Sequence, residues 1–557
     1  MVCLRSFPTG SGTLHVGGTR TLTSDLPSPP TSERPGYDVL YSTTYTLTDD
    51  ELLGVFSYYR LDNRVNWNTR FEWRKLSHVC RRWRHLVFRS ATYLGMQILC
   101  TNGTPLVETL VHLPPLPLVI DYRYANIGIG AQDKLGISSA LQLRYRVRHV
   151  VLSIPPSVLH QLLVLMDEVF PLLETLSLSS TDEDETTLLL PKTLLAPDLR
   201  RLTLHGVYLP NKLQLLSSTP SLLTLTLTNI RASGYFLPQH LVTTLRSLSQ
   251  LEELSIGFSI PLPRPSAERE LLHELEDPVT LPVLKRLTFR GVGAYLDSFL
   301  AQIRAPLLEQ LSISLFNQIA FELSHMSHFT NTTEGLRLPI AKITFERDAF
   351  SVVADHRTQQ VGDGHPSFSL RVICKQFDWQ IDCAAQICGA LTTMLSRIEQ
   401  LTLDLNGPGQ SMSTEWQDDA VDGVTWRELL GPFTGARELR VYHALVWELS
   451  CALQSGDVGL DPGLLPSLEV LAPELEDEHA DNAFASFINA RQVAGRPVRL
   501  SPSPVVSPIA FPRPSTSQAS LEHSNPEVNL LPDWAMPSKR PSWLRRTVLN
   551  PIRKRLG

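Results

Sequence analysis

The apolar residues of this chain follow two rhythms. Between residues 147 and 471 a hexad recurs, Leu-x-x-Leu-x-Leu, with Ile, Val, Ala or Phe standing in for Leu. It starts at Val147 (VRHVVL), Leu173 (LETLSL), Leu199 (LRRLTL), Leu222 (LLTLTL), Leu251 (LEELSI), Leu284 (LKRLTF), Leu308 (LEQLSI) and Ile340 (IAKITF). It returns at Ile398 (IEQLTL), Ala436 (ARELRV) and, truncated, Leu468 (LEVL). The first eight starts are 26, 26, 23, 29, 33, 24 and 32 residues apart. Alternation of period two predicts a short strand with one buried face. Helical spacing precedes several hexads, as in SVLHQLLVLMDEVF before Leu173, PQHLVTTLRSLSQ before Leu251 and CAAQICGALTTMLSR before Ile398. Helix then strand, repeated, predicts a parallel sheet with helices on its outer side.

Units of this length mark an irregular leucine-rich-repeat-like α/β solenoid over residues 110–500. The step from Ile340 to Ile398 is 58 residues, so the unit between 346 and 397 is expected to be interrupted. The Asn or Cys usual after the last Leu is missing, since position 181 is Thr and position 207 is Val. The leucines are expected to be core. Exposed strand edges and loops are left to hold a partner.

The second rhythm lies earlier. In LTDDELLGVF, Thr48 with Glu51 three residues on predicts a capping box, with acidic residues in the first helical turn. Leu52, Leu53 and Phe56 follow on one predicted helical face. In KLSHVCRRWRHLVF, Leu76, Val79, Cys80, Trp83, Leu86 and Val87 are spaced as one continuous helical stripe. Arg81, Arg82, Arg84 and His85 are expected on the other side, in water. A helical module of this size is too small for a core of its own and is expected to borrow a partner.

These residues resemble an F-box. The match rests on Leu47, Glu51, Leu52, Leu53, Phe56, Leu76, Val79, Cys80, Arg81, Trp83 and Leu86, with Thr48 where the usual pattern has proline. The segments CTNGTP, HLPPLPLVIDY, FRGVGAYLDSFL and FINARQVAGRPV look like parts of the large F-box protein family of mushroom-forming (basidiomycete) fungi, over roughly residues 40 to 500. The resemblance implies a small all-α F-box at 40–95 that binds a Skp-type linker through Leu47, Glu51, Leu52, Leu53, Phe56, Leu76, Val79, Cys80, Trp83 and Leu86. It also implies repeats that bind a protein target, the whole acting as substrate receptor of an SCF-type cullin–RING ubiquitin ligase. A repeat scaffold without ligase engagement is the alternative.

Charge and composition narrow the other readings. The chain has 557 residues and a net charge of −6, small for that length, which argues against binding nucleic acid over its whole surface. Residues 1–36 hold 21 Gly, Pro, Ser or Thr and predict a disordered arm. Residues 501–557 predict a Pro/Ser-rich linker and a basic tail, SKRPSWLRRTVLNPIRKRLG. That segment reads first as disordered, with nuclear import or contact with an anionic membrane as the sharper alternatives, the latter weakened by Pro551. A nucleic-acid anchor there would bind with steep salt dependence. No apolar run approaches the ~20 residues of a membrane span, and the N-terminus lacks a signal-peptide core. Cytoplasmic or nuclear placement is expected, and the triplets at Asn102 and Asn331 are read as inert.

No catalytic site, cofactor or metal is expected. The chain has no GxxxxGK[ST], GxSxG, HExxH or GxGxxG after a strand. The seven cysteines (Cys3, Cys80, Cys100, Cys374, Cys383, Cys388, Cys451) form no CxxC and suit buried free thiols in a reducing compartment. Cys383 and Cys388 are the closest pair in sequence, with no second pair to complete a zinc site. Cys80, between Val79 and Trp83, is expected to be buried and inert. His365 in GDGHP reads as a loop histidine and the acidic TDEDE at 181–185 as a solvated loop.

Overall fold

The leucine hexads become the strands of one sheet. A computed structural model describes residues 47–501 apart from 63–72, 92, 113–114, 124–128, 181–187, 210–213, 262–277, 319, 322, 357–365, 406–422, 443–444, 455–463 and 475–482. The expected N-terminal arm, the acidic stretch 181–185, His365, and the linker and basic tail beyond 501 lie outside the described residues. The chain divides into two compact units, Met1–Met96 and Gln97–Gly557. The second unit therefore begins before residue 110, with a strand that carries no hexad.

The first unit is helical: α1 (Asp49–Asp62), α2 (Trp73–Val79) and α3 (Arg81–Arg89). The second holds a sixteen-stranded sheet among its described residues. In chain order its strands are β1 (Ile98–Cys100), β2 (Leu118–Tyr122), β3 (Val147–Ile154), β4 (Thr175–Ser180), β5 (Arg201–His205), β6 (Thr224–Ile230), β7 (Glu253–Phe258) and β8 (Arg286–Gly291). Then come β9 (Gln310–Leu315), β10 (Ile340–Phe345), β11 (Ala349–Asp355), β12 (Phe368–Ile373), β13 (Gln400–Leu405), β14 (Glu438–Tyr442), β15 (Val470–Glu474) and β16 (Arg499–Leu500).

From β1 to β9 spatial order follows chain order, every pair parallel. One backbone device repeats through the stack. The carbonyl of a hexad's second residue accepts two N–H groups from the next unit. Glu174 accepts Arg200 and Arg201 (2.9 and 3.0 Å), Arg200 accepts Leu223 and Thr224 (2.8 and 3.1 Å), and Leu223 accepts Glu252 and Glu253 (2.8 and 3.0 Å). The leucines of each hexad are buried, among them Leu173, Leu176, Leu178, Leu199, Leu202 and Leu204. At ~1.5–3 kcal/mol for each buried side chain, this face is the main stabilising term of the unit.

The interruption has a definite form. After β9 the chain skips two places in the sheet to make β10, then returns through β11 and β12, giving the order β9-β12-β11-β10-β13. β11 runs antiparallel to both neighbours, while β12 lies parallel to β9 and β10 parallel to β13. The expectation of an entirely parallel sheet is corrected at this one strand. A second correction concerns register. Ile340 pairs with Gln400, the third residue of its hexad, so this unit starts at Leu338 and not at Ile340. The Pro339 carbonyl makes the recurring double contact, to Glu399 (2.6 Å) and Gln400 (3.1 Å) N–H. Ala341 occupies the second leucine position, which the spacing alone reads as a variable one.

Helices connect many of the strands. Pro156–Val164, Pro238–Leu245 and Phe377–Ala390 fall on three of the segments with helical spacing. The first two carry proline in the first turn, where its missing N–H costs nothing. The helix Ser324–Thr332 borrows its cap. Buried Asp297, on the helix Gly293–Leu300, accepts from His325 N–H (2.7 Å), Met326 N–H (3.0 Å) and Ser324 Oγ (3.2 Å). Ahead of Leu199 and Leu284 the chain forms short extended pairs, Leu188–Leu189 with Val207–Tyr208 and Val279–Thr280 with Ile303–Arg304.

Candidate functional site

In the first unit the helix starts as its sequence dictates. Thr48 N–H and Thr48 Oγ1 donate to Glu51 Oε2 (2.7 and 2.9 Å), and Glu51 N–H donates back to Thr48 Oγ1 (3.3 Å). Two otherwise unpaired amides at the end of α1 are satisfied in this way. The same bonds hold the Glu51 carboxyl below its ordinary value. Thr48 thus caps the helix from the place where the F-box pattern has proline.

The apolar stripe is divided between two helices. Cys80 is extended (φ −156°, ψ 172°) and its Sγ accepts from Trp83 N–H (3.4 Å), ending α2 and starting α3. The break frees carbonyls at the end of α2, and Arg84 Nε donates to one of them, Ser77 O (2.9 Å). Cys80 is exposed, which corrects its expected burial. A capping position lies at a helix end, where spacing counted along one uninterrupted helix misplaces it. Arg82 also departs from expectation. Its Nη2 donates to Leu47 O and to Asp49 Oδ1 (both 2.7 Å), and its Nε to Asp49 Oδ1 (3.1 Å), tying α3 to the start of α1.

The expected docking residues separate by exposure. Leu52, Phe56 and Leu86 are buried, and Phe56 meets the Trp83 ring edge-on at 4.7 Å. Leu47, Leu53, Leu76 and Trp83 are half-buried; Glu51, Val79, Cys80 and Arg81 are exposed. Val79 is 59% exposed, joined by Val55 at 52% and Tyr58 at 74% on α1. Spacing had not singled out Val55 and Tyr58, though they stand three residues apart on a flank of the buried face.

The second unit carries its own surface. The fifth residue of successive hexads faces away from the leucines and aligns in register: Ser177, Thr203, Thr226, Ser255, Thr288 and Ser312, continued by Ser369 on β12. Seven adjacent strands, about 4.8 Å apart, thus present one row of hydroxyls. Ser369 Oγ donates to Ser312 Oγ (3.0 Å). Two residues further along the strands, a second row holds Ser179, His205, Thr228, Gly257, Arg290, Ser314 and Arg371. The signal was in the sequence: the fifth hexad position reads Ser, Thr, Thr, Ser, Thr, Ser from Leu173 to Leu308.

Of the six described cysteines four are buried, and Cys451, like Cys80, is exposed. Cys383 shares a hydrogen bond with Cys374, not with the nearer-in-sequence Cys388, and that bond together with burial pushes its thiol far up. Burial raises Cys100 to about 11 and Cys388 to about 12, so both keep their protons. Among the described residues no group of three His, Cys, Asp or Glu side chains could hold a metal ion. No described helix is long and apolar enough to cross a membrane.

No protein-family model matches the chain, and no curated protein matches it. Among solved structures it is similar to a chain of the TLR13–ssRNA13 complex, with TM-score 0.25 and 14% identity over 68% of this chain and 45% of that one. It is also similar to the leucine-rich repeat-containing protein LegL7 from Legionella pneumophila, with TM-score 0.21 and 12% identity over 72% of this chain and 98% of that one. The chain thus spans less than half the length of the first.

Proposed function

We propose that this chain is a non-enzymatic adaptor: the helical unit docks a Skp-type linker of a cullin–RING ubiquitin ligase, and the repeat sheet holds the protein to be modified, in the cytoplasm or nucleus. One observation carries the reading. The helical unit keeps Leu52, Phe56 and Leu86 inside while Val55, Tyr58 and Val79 stand in water. Exposed apolar side chains on a unit this small favour burial against a partner. The F-box resemblance supplies the identity of that partner.

The exposed positions give the cleaner test. Replacing Leu52 or Phe56 would collapse the helix pair, whereas Val79→Asp and Val55→Asp leave its interior intact. The full chain, co-expressed with a Skp-type linker, is expected to retain it through purification. Each variant is expected to lose it with an unchanged far-UV circular dichroism spectrum. Failure of the unmodified chain to retain the linker rejects the ligase role and leaves a repeat scaffold.

A further inference from the structure

We infer that the hydroxyl-lined face of β4 to β9 and β12 binds an extended, acidic peptide segment, with Arg290 as its charged anchor. The inference rests only on the coarser half of the proposed function, that the repeat sheet holds a partner.

Three features carry it. The first is length and register. The hydroxyl row crosses seven strands at about 4.8 Å per strand, a run of about 29 Å. An extended chain of about eight or nine residues spans that distance. Each Ser or Thr hydroxyl both donates and accepts, so the row can meet peptide N–H and C=O groups in turn without burying charge.

The second is charge. From β4 to β12 neither of these two rows contains an Asp or Glu; in the outward row on the other side of the hydroxyls, Glu253 is paired with Arg286. Arg371 in the second row is shared with Glu346 (2.8 Å) and Asp348 (3.8 Å). Arg290 has no carboxylate partner among the described residues; its guanidinium lies 5.7 Å from the centre of the Phe316 ring. A ring face orients the cation and leaves its N–H donors available to an incoming carboxylate. His205 Nδ1 is engaged with Thr228 Oγ1 (3.0 Å), and burial followed by the nearby Arg231 holds its pKa below the ordinary value. It therefore adds a polar ring and little charge.

The third is the residue between. Gly257 is buried between Thr228 and Arg290; a Cβ there would stand 3.4 Å from Thr228 Cγ2 and 3.7 Å from Arg290 Cβ. No side chain rises from Gly257 between Thr228 and Arg290, so the row is open beside the Arg290 side chain. Any larger residue must project through that gap.

The full chain would be panned against a phage-displayed library of short random peptides, and the winners measured by fluorescence anisotropy. Enrichment of Asp and Glu over Lys and Arg is expected. Arg290→Glu is expected to weaken the selected peptides about tenfold, less at high salt, with Arg290→Gln intermediate. Gly257→Leu is expected to weaken them several-fold with an unchanged circular dichroism spectrum. A library that yields no binders, basic or apolar binders, or acidic binders indifferent to Arg290→Glu and Gly257→Leu overturns the inference. Linker retention is scored on the same preparations. Loss of the linker alone rejects the ligase role, and loss of peptide enrichment alone rejects this site.

Discussion

Strands β4 to β9 each carry the leucine hexad, whereas of β10 to β12 only β10 does, and the two stretches end in different arrangements. In the first stretch each unit hands its second-residue carbonyl to the next, and the outward row is neutral hydroxyl. In the second, the row changes from Ser369 to Val353 and Lys342. Lys342 pairs with Asp404 at 2.6 Å, with the two side chains only 19% and 16% exposed. The lesson is that a leucine hexad sets which face of a strand is buried but not where the strand goes. Placement comes from the carbonyl contact to the preceding unit. Where β12 takes the position beside β9, that contact restarts at Pro339.

Alkylation should give the widest contrast. Cys374, Cys383 and Cys388 belong to the rearranged region and are buried, whereas Cys80 and Cys451 are exposed. Iodoacetamide labelling read by mass spectrometry is expected to be about a hundredfold or more slower at the buried thiols. Fast labelling of Cys383, buried and with its thiol held protonated, would mean that the rearranged region opens on its own, sharpening the contrast with the regular stack. Next comes Phe345→Ala on β10, expected to cost about 3–5 kcal/mol in urea denaturation. Phe345 is fully buried against Phe350, Phe377 and Trp426.

A smaller loss, about 1–3 kcal/mol, is expected for Gly335→Ala. Its Cβ would collide with the Leu308 carbonyl oxygen, just where the insertion leaves the regular stack. Asp404→Ala is expected to cost about 1–2 kcal/mol by removing a charged partner of the largely covered Lys342 ammonium. Ser255→Ala, in the regular hydroxyl row, is expected to change stability by less than about 0.5 kcal/mol. Equal effects for the last two would erase the distinction between the two outward faces.

Much of the sheet was legible beforehand because its cause is local. Each of the eleven hexads contains or leads into a strand, and the three quoted helical segments overlap helices. What was missed is non-local or lacks the leucine rhythm. β1, β2, β11, β12 and β16 carry no hexad, and the place of β12 beside β9 is decided by pairing across more than fifty residues. In the helical unit, spacing could not reveal the break at Cys80. Positions 0, 3, 4 and 7 look alike whether one helix carries them or two. The hydroxyl row was readable in principle, since the fifth hexad position repeats as plainly as the leucines.

The skip in strand order bears on how the chain is made. Up to β9, each emerging unit can settle at once on the one before it. β9 is complete at residue 315, yet the strand that pairs with its far edge ends at residue 373. At a synthesis rate of about 5–20 residues per second, that edge stands open for roughly 3–12 s. An unpaired strand edge is a template for any other strand nearby, and β10 emerges first with a matching hydrophobic face. The ribosome therefore presents a wrong neighbour before the right one, and β9 must stay unclaimed until β12 arrives.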